Sequence, residues 1–543
     1  MTDAVNARNR TLAVPTSADV DAVSREILDS HFAIHPHAGR EVGRYEYDGR
    51  FPDIARPDAG YFTDYRSRVA PLAVIADPAR RADVRTSLAW LDREAFRVGV
   101  LGQQLRDPVE CLSETDVWGY VQQPYADPAA RIDALRSHLD GVPAFLERAE
   151  PAIAPSLPVG QRLHALDLAR ALAADLRDVG GLLAAVHPEM SAPHLAGPAE
   201  AAAIAVEKFA VAVEKSAPIG GMLGPERLRE WIRVSEGVDR STGELIDEAQ
   251  AEVDDIVAAL DALAAQHGVS RRRDLYDLME RPAQGLGAVD CVAGLVERLR
   301  DFWAGRGVVT VETANPLRYL HRPRMFAAAE FGVTGPFAGS GQPHHLYLPQ
   351  WTDRPLPMIE MLTVHEAYAG HYLHTEAAFR QTHGVRSSLR LWAGFVEGWA
   401  HYTEELAIEQ GLAEDRPLLR AAQLLSALEA ATRLLVYLRV HAGRWTFGEA
   451  VQNTAVLCEW PVAQATRDVL STTSDWRVAL YTFGKLRIRE WRRDAGVGTD
   501  RQALTAFHDR LIGCGFAPLG VVRQYYLDSE MEVAGLDVHI GAE

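Results

Sequence analysis

The sequence predicts a mainly α-helical protein of two lobes around a central cleft, with one short β segment. Three observations point there. Apolar residues recur at helical steps along most of the chain, as in Ile132, Leu135, Leu139 and Phe145. Glycine and proline concentrate in one stretch, Gly332 to Pro357, which holds Pro336, Pro343, Pro349, Pro355 and Pro357. The content, 48% hydrophobic and 24% charged over 543 residues, is that of a globular chain long enough for two to four domain-sized units or one large two-lobed body.

Taken in order, Met1 to Asn6 lacks the basic start and apolar run of a secretion signal, and residues 1 to 12 read as an unstructured tail. Helices are expected over Arg131–Glu150, Gln161–Val186 and the alanine-rich Ala199–Lys215. Ser241-Thr242-Gly243-Glu244 has the form of a capping box and opens a helix to about Gln266. Further helices are expected over Val289–Ala304, Leu418–Val440 and Thr446–Leu470. A soft boundary falls near residue 280, at Arg281-Pro282-Ala283-Gln284-Gly285. It divides an N-terminal helical lobe (1–280) from a lobe carrying the chemistry (281–543). Within the proline-rich stretch, His344-His345-Leu346-Tyr347-Leu348 reads as a strand lining the cleft, its edge free to pair with extended substrate. Alternation sends His344 and His345 to opposite faces, so at most one of them faces the cleft. His345 and Tyr347 are therefore candidate substrate contacts.

The net charge of −18 disfavours nucleic acid or an anionic membrane as main partners. No run of about eighteen apolar residues suggests a membrane helix. Cys111, Cys291, Cys458 and Cys514 are far apart, form no metal-type pair, and read as reduced core residues. A cytoplasmic location is the expectation.

The chemistry concentrates in His365-Glu366-Ala367-Tyr368-Ala369-Gly370-His371 and in Glu397-Gly398-Trp399-Ala400-His401. Two neutral imidazoles and one carboxylate hold Zn²⁺ with a fourth position left for water, whose pKa the ion lowers. A spare Glu beside the first His then takes the proton. The two His are six apart, not the four that share a helix face. Six residues rotate roughly 240° along a helix, so a break must realign the rings, and Gly370 can supply it. His365, His371 and Glu397 are the expected ligands of one Zn²⁺, and Glu366 the general base. His401, four residues after Glu397, shares its helix face and is a candidate to orient a ligand, join the metal or touch substrate. His374 could replace His371, and Glu404 could hold a ligand His in place.

These motifs resemble those of the bacterial family filed as domain of unknown function 885 (DUF885), whose members are presumed zinc-dependent hydrolases. The family pattern, roughly His-Glu-x-Tyr-Pro-Gly-His-His-Leu-Gln and then Glu-Gly-Trp-Ala-x-Tyr-x-Glu, corresponds to His365–His374 and Glu397–Glu404. The likeness extends through Gly43–Asp48 and Phe51–Asp53, Arg433–Val436, His441–Thr446, Tyr481–Leu486 and Gly515–Leu519. It therefore covers almost the whole chain. Departures are Ala369 for Pro, Tyr372 for His, His374 for Gln, His401 for Leu, Tyr437 for a common Asp, and Asp475-Trp476-Arg477 for Pro-Gly-Gln. The resemblance implies that Tyr481 lies near the cleft, where its phenol can donate to an oxyanion. His441 and Arg487 are weaker candidates for binding a substrate carboxylate or phosphate.

The favoured function is zinc-dependent hydrolysis of an amide in a small peptide or peptide-like metabolite. Two alternatives stand beside it. One is a metalloenzyme repurposed to a specialised biosynthetic pathway, with His401 adding a nitrogen that suits iron. The other is a non-catalytic binding protein on the same scaffold. The sequence does not set the oligomeric state.

Overall fold

The computed structural model describes residues 15–52, 58–102, 107–122, 125–187, 190, 192–220, 223–283, 287–322, 330–338, 341–349, 353–381 and 384–533. The expected tail at residues 1 to 12 lies outside the described residues, as do Asp53 of the opening motif and Gln284-Gly285 at the expected boundary.

The chain is mainly α-helical, with two small sheets. Its buried apolar side chains fall into three large groups. The first joins the N-terminal helices Ser17–Ile34, Ala59–Val69 and Pro78–Gly99, through Phe32, Phe62 and Trp90, to Val385, Leu389 and Trp392 from the far end of the chain. The second is built from Cys111 to Val213 alone, where helices Pro128–Ala149, Val159–Arg177 and Ala196–Glu214 pack around Leu139, Phe145, Leu176 and Phe209. The third and largest runs from Leu228 to Tyr526 with Ala82. In it Val253 and Leu260 of helix Thr242–Gln266 share a core with Leu428 and Leu435 of helix Pro417–His441. That core holds residues from both sides of residue 280.

Local chemistry explains most helix limits. Ser241 Oγ accepts from Glu244 N at 3.2 Å and Glu244 returns the bond to Ser241 N at 2.9 Å, so the capping box opens the helix where expected. Two expected helices are each split. Gln161–Val186 breaks at Asp178, with helices Val159–Arg177 and Val179–Val186 on either side, where Gly180 and Gly181 weaken helix propensity. Thr446–Leu470 becomes Phe447–Leu457 and Val462–Ser474, because Pro461 cannot continue a helix and Glu459 turns to φ 52°. Among the described residues, helix Pro417–His441 alone is long and apolar enough to cross a membrane, and 78% of its most apolar window is buried inside the protein. It is a core helix here.

The strands are β1 (Ser156–Pro158), β2 (Ala217–Ile219), β3 (Leu317–Arg322), β4 (Glu330–Gly332) and β5 (His344–Pro349). β1 and β2 pair in parallel. The second sheet has the order β3-β5-β4, with β5 parallel to β3 and antiparallel to β4. The expected strand at His344–Leu348 forms, but both its edges are already paired. β4 meets the His365 helix through Phe331 N, which donates to Glu366, and the outer edges of the sheet belong to β3 and β4 and not to β5. Glu376 fastens the sheet to the helix that begins at His371. Glu376 accepts from the backbone of Ala314, from Asn315 N at 3.1 Å, from Asn315 Nδ2 at 2.8 Å and from His344 Nε2 at 3.0 Å. His344 Nδ1 accepts from Thr334 N at 3.0 Å, which leaves its proton on Nε2 for Glu376.

Two helices that reach the site cross with no side chain between them. A Cβ on Gly484 would lie 1.8 Å from Gly394 O, and one on Gly398 would lie 2.5 Å from Gly484 Cα. Gly484→Ala is expected to cost at least about 1–3 kcal/mol, because backbone must move, and to lower the thermal unfolding midpoint. Burial raises the Glu376 carboxyl, but its hydrogen bonds to His344, Asn315 and the backbone win and hold it at about 2 against an ordinary 4.5. Its stabilisation is complete above 4.5 and is lost as pH falls towards 2. In Glu376→Gln, that part of the acid limb of a stability-versus-pH curve should flatten.

Candidate metal centre

Helix Leu356–Glu366 ends on the His-Glu pair, and helix His371–Gln381 begins on the second His. Between them the chain folds back on itself. Gly370 N donates to Val364 O at 3.1 Å, and a Cβ on Gly370 would fall 1.7 Å from His365 O. Only glycine fits that approach. Trp399 Nε1 donates to Ala369 O at 2.9 Å and fastens the turn to helix Ala393–Glu409, which carries Glu397. The rings of His365 and His371 thus stand 4.7 Å apart and nearly perpendicular, at 88°.

Both imidazoles turn Nε2 towards one oxygen. His371 Nε2 lies 3.3 Å and His365 Nε2 3.5 Å from Glu397 Oε2. That oxygen is buried and makes no hydrogen bond of good geometry, so the contacts are close approaches of three donor atoms. All three lie within 4.8 Å of one another. Ligand atoms about 2.1 Å from a tetrahedral ion stand roughly 3.4 Å apart, so the two measured separations suit a cation in the middle. A buried carboxylate oxygen lacking a hydrogen bond, with two imidazoles aimed at it, is what a cation would complete.

The surroundings fix each group. His365 Nδ1 is bonded to Glu404 Oε1 at 2.8 Å, which orients Nε2 towards Glu397. Burial pulls the His365 pKa down, but the carboxylates of Glu397 and Glu404 beside it outweigh burial and raise the pKa. Burial works against ionised Glu397 too, yet His371 and His365 hold it well below the usual carboxylate range. Glu366 accepts from Phe331 N of β4 at 3.0 Å through Oε2. Burial lifts its pKa, with His365 and His371 pulling it down and Glu397 pushing it up. Tyr481, on helix Leu480–Asp494, stacks on His365 at 5.6 Å and 14°. Burial and the charges of Glu397 and Glu366 hold its proton on, against Arg433.

The other sequence candidates lie apart from the triad. His401 directs Nδ1 at Glu404 Oε1, 3.3 Å away, and so touches the carboxylate behind His365. His374 packs on Phe395 and Phe516, where burial lowers its pKa to about 3. His441 packs on Tyr437 and meets Thr473 O at 3.2 Å. Arg487 is buried and paired with Glu248 and, at 2.6 Å, with Glu490. His345 stacks on Tyr347, whose ring covers Gly332. Among the described residues, neither makes a hydrogen bond, ion pair or ring contact with His365, His371 or Glu397. The Phe331 amide was invisible in the sequence, because a backbone donor has no residue-type signature. Trp399 had a signal, its place in the Glu-Gly-Trp-Ala motif.

The family profile described as "Bacterial protein of unknown function (DUF885)" matches residues 36–525. No curated protein matches the chain. Two solved structures share its fold over nearly their full lengths. One is a candidate lipoprotein of unknown function from Shewanella oneidensis, 16% identical, covering 94% of this chain and 99% of that one at a TM-score of 0.71. The other is a candidate lipoprotein from Colwellia psychrerythraea, 15% identical, covering 95% and 99% at a TM-score of 0.73. At these identities the likeness is one of fold alone.

Glu404→Gln is expected to loosen the His365 ring without removing His365, His371 or Glu397, and so to weaken any affinity of this group for added Zn²⁺ about 10–100-fold. Competition with a chromogenic chelator measures this, and unchanged affinity would refute the orienting role.

Proposed function

We propose that this chain, which belongs to the DUF885 family, is a metal-dependent hydrolase of an amide bond in a small peptide or peptide-like metabolite. One observation carries the reading. His365, His371 and Glu397 converge within 4.8 Å, and a carboxylate outside that set, Glu366, stands beside them with one oxygen already fixed. A binding protein that merely clipped a metal would need no such base.

His365, His371 and Glu397 would hold the ion, and a two-nitrogen, one-oxygen set suits zinc. When bound, the ion supplies Lewis acidity to the carbonyl and lowers the pKa of water. Glu366 receives the proton of the attacking water and passes it to the leaving amine. Because Phe331 N engages Oε2, Oε1 is the oxygen for that transfer. Tyr481, kept protonated, donates to the oxygen of the tetrahedral intermediate. The ligand side chains are only 9%, 12% and 21% exposed, which favours short substrates over folded proteins. His401, the extra nitrogen that the iron alternative calls for, lies outside the group whose ligand atoms fall within 4.8 Å of one another.

Glu366→Gln should reduce kcat about 10²–10⁴-fold or more with metal content unchanged. Metal analysis of protein purified without added metal should return one equivalent of zinc. Persistent turnover in the variant would remove Glu366 from its role, and redox-active iron in the wild type would replace hydrolysis by other chemistry.

A further inference from the structure

Two arginines lie on elements that pack around the start of the Tyr481 helix, each gripped from the side by an aspartate. Arg433, on helix Pro417–His441, gives both Nε (2.9 Å) and Nη2 (2.6 Å) to Asp468 Oδ1. Arg477 sits on the 3₁₀ turn Trp476–Ala479 that leads into the Tyr481 helix. It gives Nε to Asp475 Oδ1 at 3.0 Å and Nη2 to Oδ2 at 2.8 Å. Side-on pairing uses the Nε/Nη2 edge and leaves the Nη1 end of the fork, and neither Nη1 makes a hydrogen bond among the described residues. Such an end matches a carboxylate, which accepts two parallel N–H groups.

Their positions are linked. Tyr437, one turn after Arg433, meets Trp476, the neighbour of Arg477, with ring centres 4.5 Å apart and planes tilted by 42°. Both side chains remain open to solvent, Arg433 at 30% and Arg477 at 75%. Both are felt at the site. Arg433 pulls the Tyr481 pKa down against burial and Glu397, and the Arg477 pKa is raised first by Asp475 and then also by Glu41 and Glu397. The carboxylates nearest the triad, Glu366 and Glu404, are already engaged with Phe331 and His365. These two guanidinium ends are thus cationic features beside a largely anionic centre.

We propose that Arg433 and Arg477 form a carboxylate subsite beside Tyr481, so that the hydrolysed amide belongs to a substrate with a free carboxylate, such as an N-acyl amino acid or the C-terminal end of a short peptide. The proposal rests on the hydrolase reading above. Arg477 and Arg433 are specificity residues in it. They hold the end of the substrate while the triad holds the scissile carbonyl. The Asp-Trp-Arg sequence and Tyr437, which depart from the family pattern, are then the parts that set this chain's substrate.

Binding of paired hydroxamates to the zinc-loaded full chain tests this without a known substrate. Each probe carries the metal-binding hydroxamate on a chain of two, three or four methylenes ending in a carboxylate or in the matching carboxamide. At one spacing, calorimetry should show the carboxylate binding about tenfold to a hundredfold tighter than the carboxamide. Arg477→Gln should erase most of that preference and leave carboxamide affinity unchanged. Arg433→Gln is made together with Asp468→Asn, so that no carboxylate is left unpaired, and should do the same. Equal binding of both arms at every spacing, or a preference that survives both variants, overturns the subsite and leaves the metal reading standing. If no probe binds the zinc-loaded protein at all, the metal reading falls and this proposal with it.

Discussion

Gly370 has no room for a side chain, and the site exists because of it. The helix ending at Glu366 and the helix starting at His371 are joined by a turn so tight that the Gly370 backbone lies against the His365 carbonyl. On an unbroken helix, two residues six apart point in different directions. The reversal brings their rings to 4.7 Å and aims both at Glu397. Trp399 ties the turn to the very helix that supplies Glu397, so the reversal and that carboxylate are positioned by one contact.

Behind this lies a second layer of carboxylates with separate tasks. Glu404 holds a ring, Glu376 holds the sheet to the helix, and Glu366 is itself held by the edge of that sheet. The site therefore draws on elements far apart in sequence. It also explains why the N-terminal helices pack on Val385, Leu389 and Trp392, the segment leading into the Glu397 helix. They buttress the helix from outside while the metal-site turn fixes it from inside.

Much of this was legible from residue types and spacing. The helical period, the capping box at Ser241, the break demanded at Gly370 and the convergence of His365, His371 and Glu397 all follow from local rules. What failed was of two kinds, breaks inside a periodic run and partners distant in sequence. Period alone ran through Pro461 and Asp178 where the chain turns. Alternation found β5 but could not say that β3 and β4 would occupy both its edges. Residue chemistry made Arg487 a candidate anion binder, but Glu248, over two hundred residues away, had already claimed it. His401 was expected to orient a ligand, join the metal or touch substrate, and its Nδ1 lies 3.3 Å from Glu404 Oε1.

The bare crossing of Gly394 and Gly398 with Gly484 has a consequence for how the molecule tolerates change. Backbone against backbone leaves no cushion of side chains to compress or slide. The ligand Glu397 and the phenol of Tyr481 are thereby riveted into one frame, whatever happens in the eighty-odd residues that connect them. Insertions, deletions or drift in that connecting stretch could remodel what the protein accepts without detuning the distance between ligand and phenol.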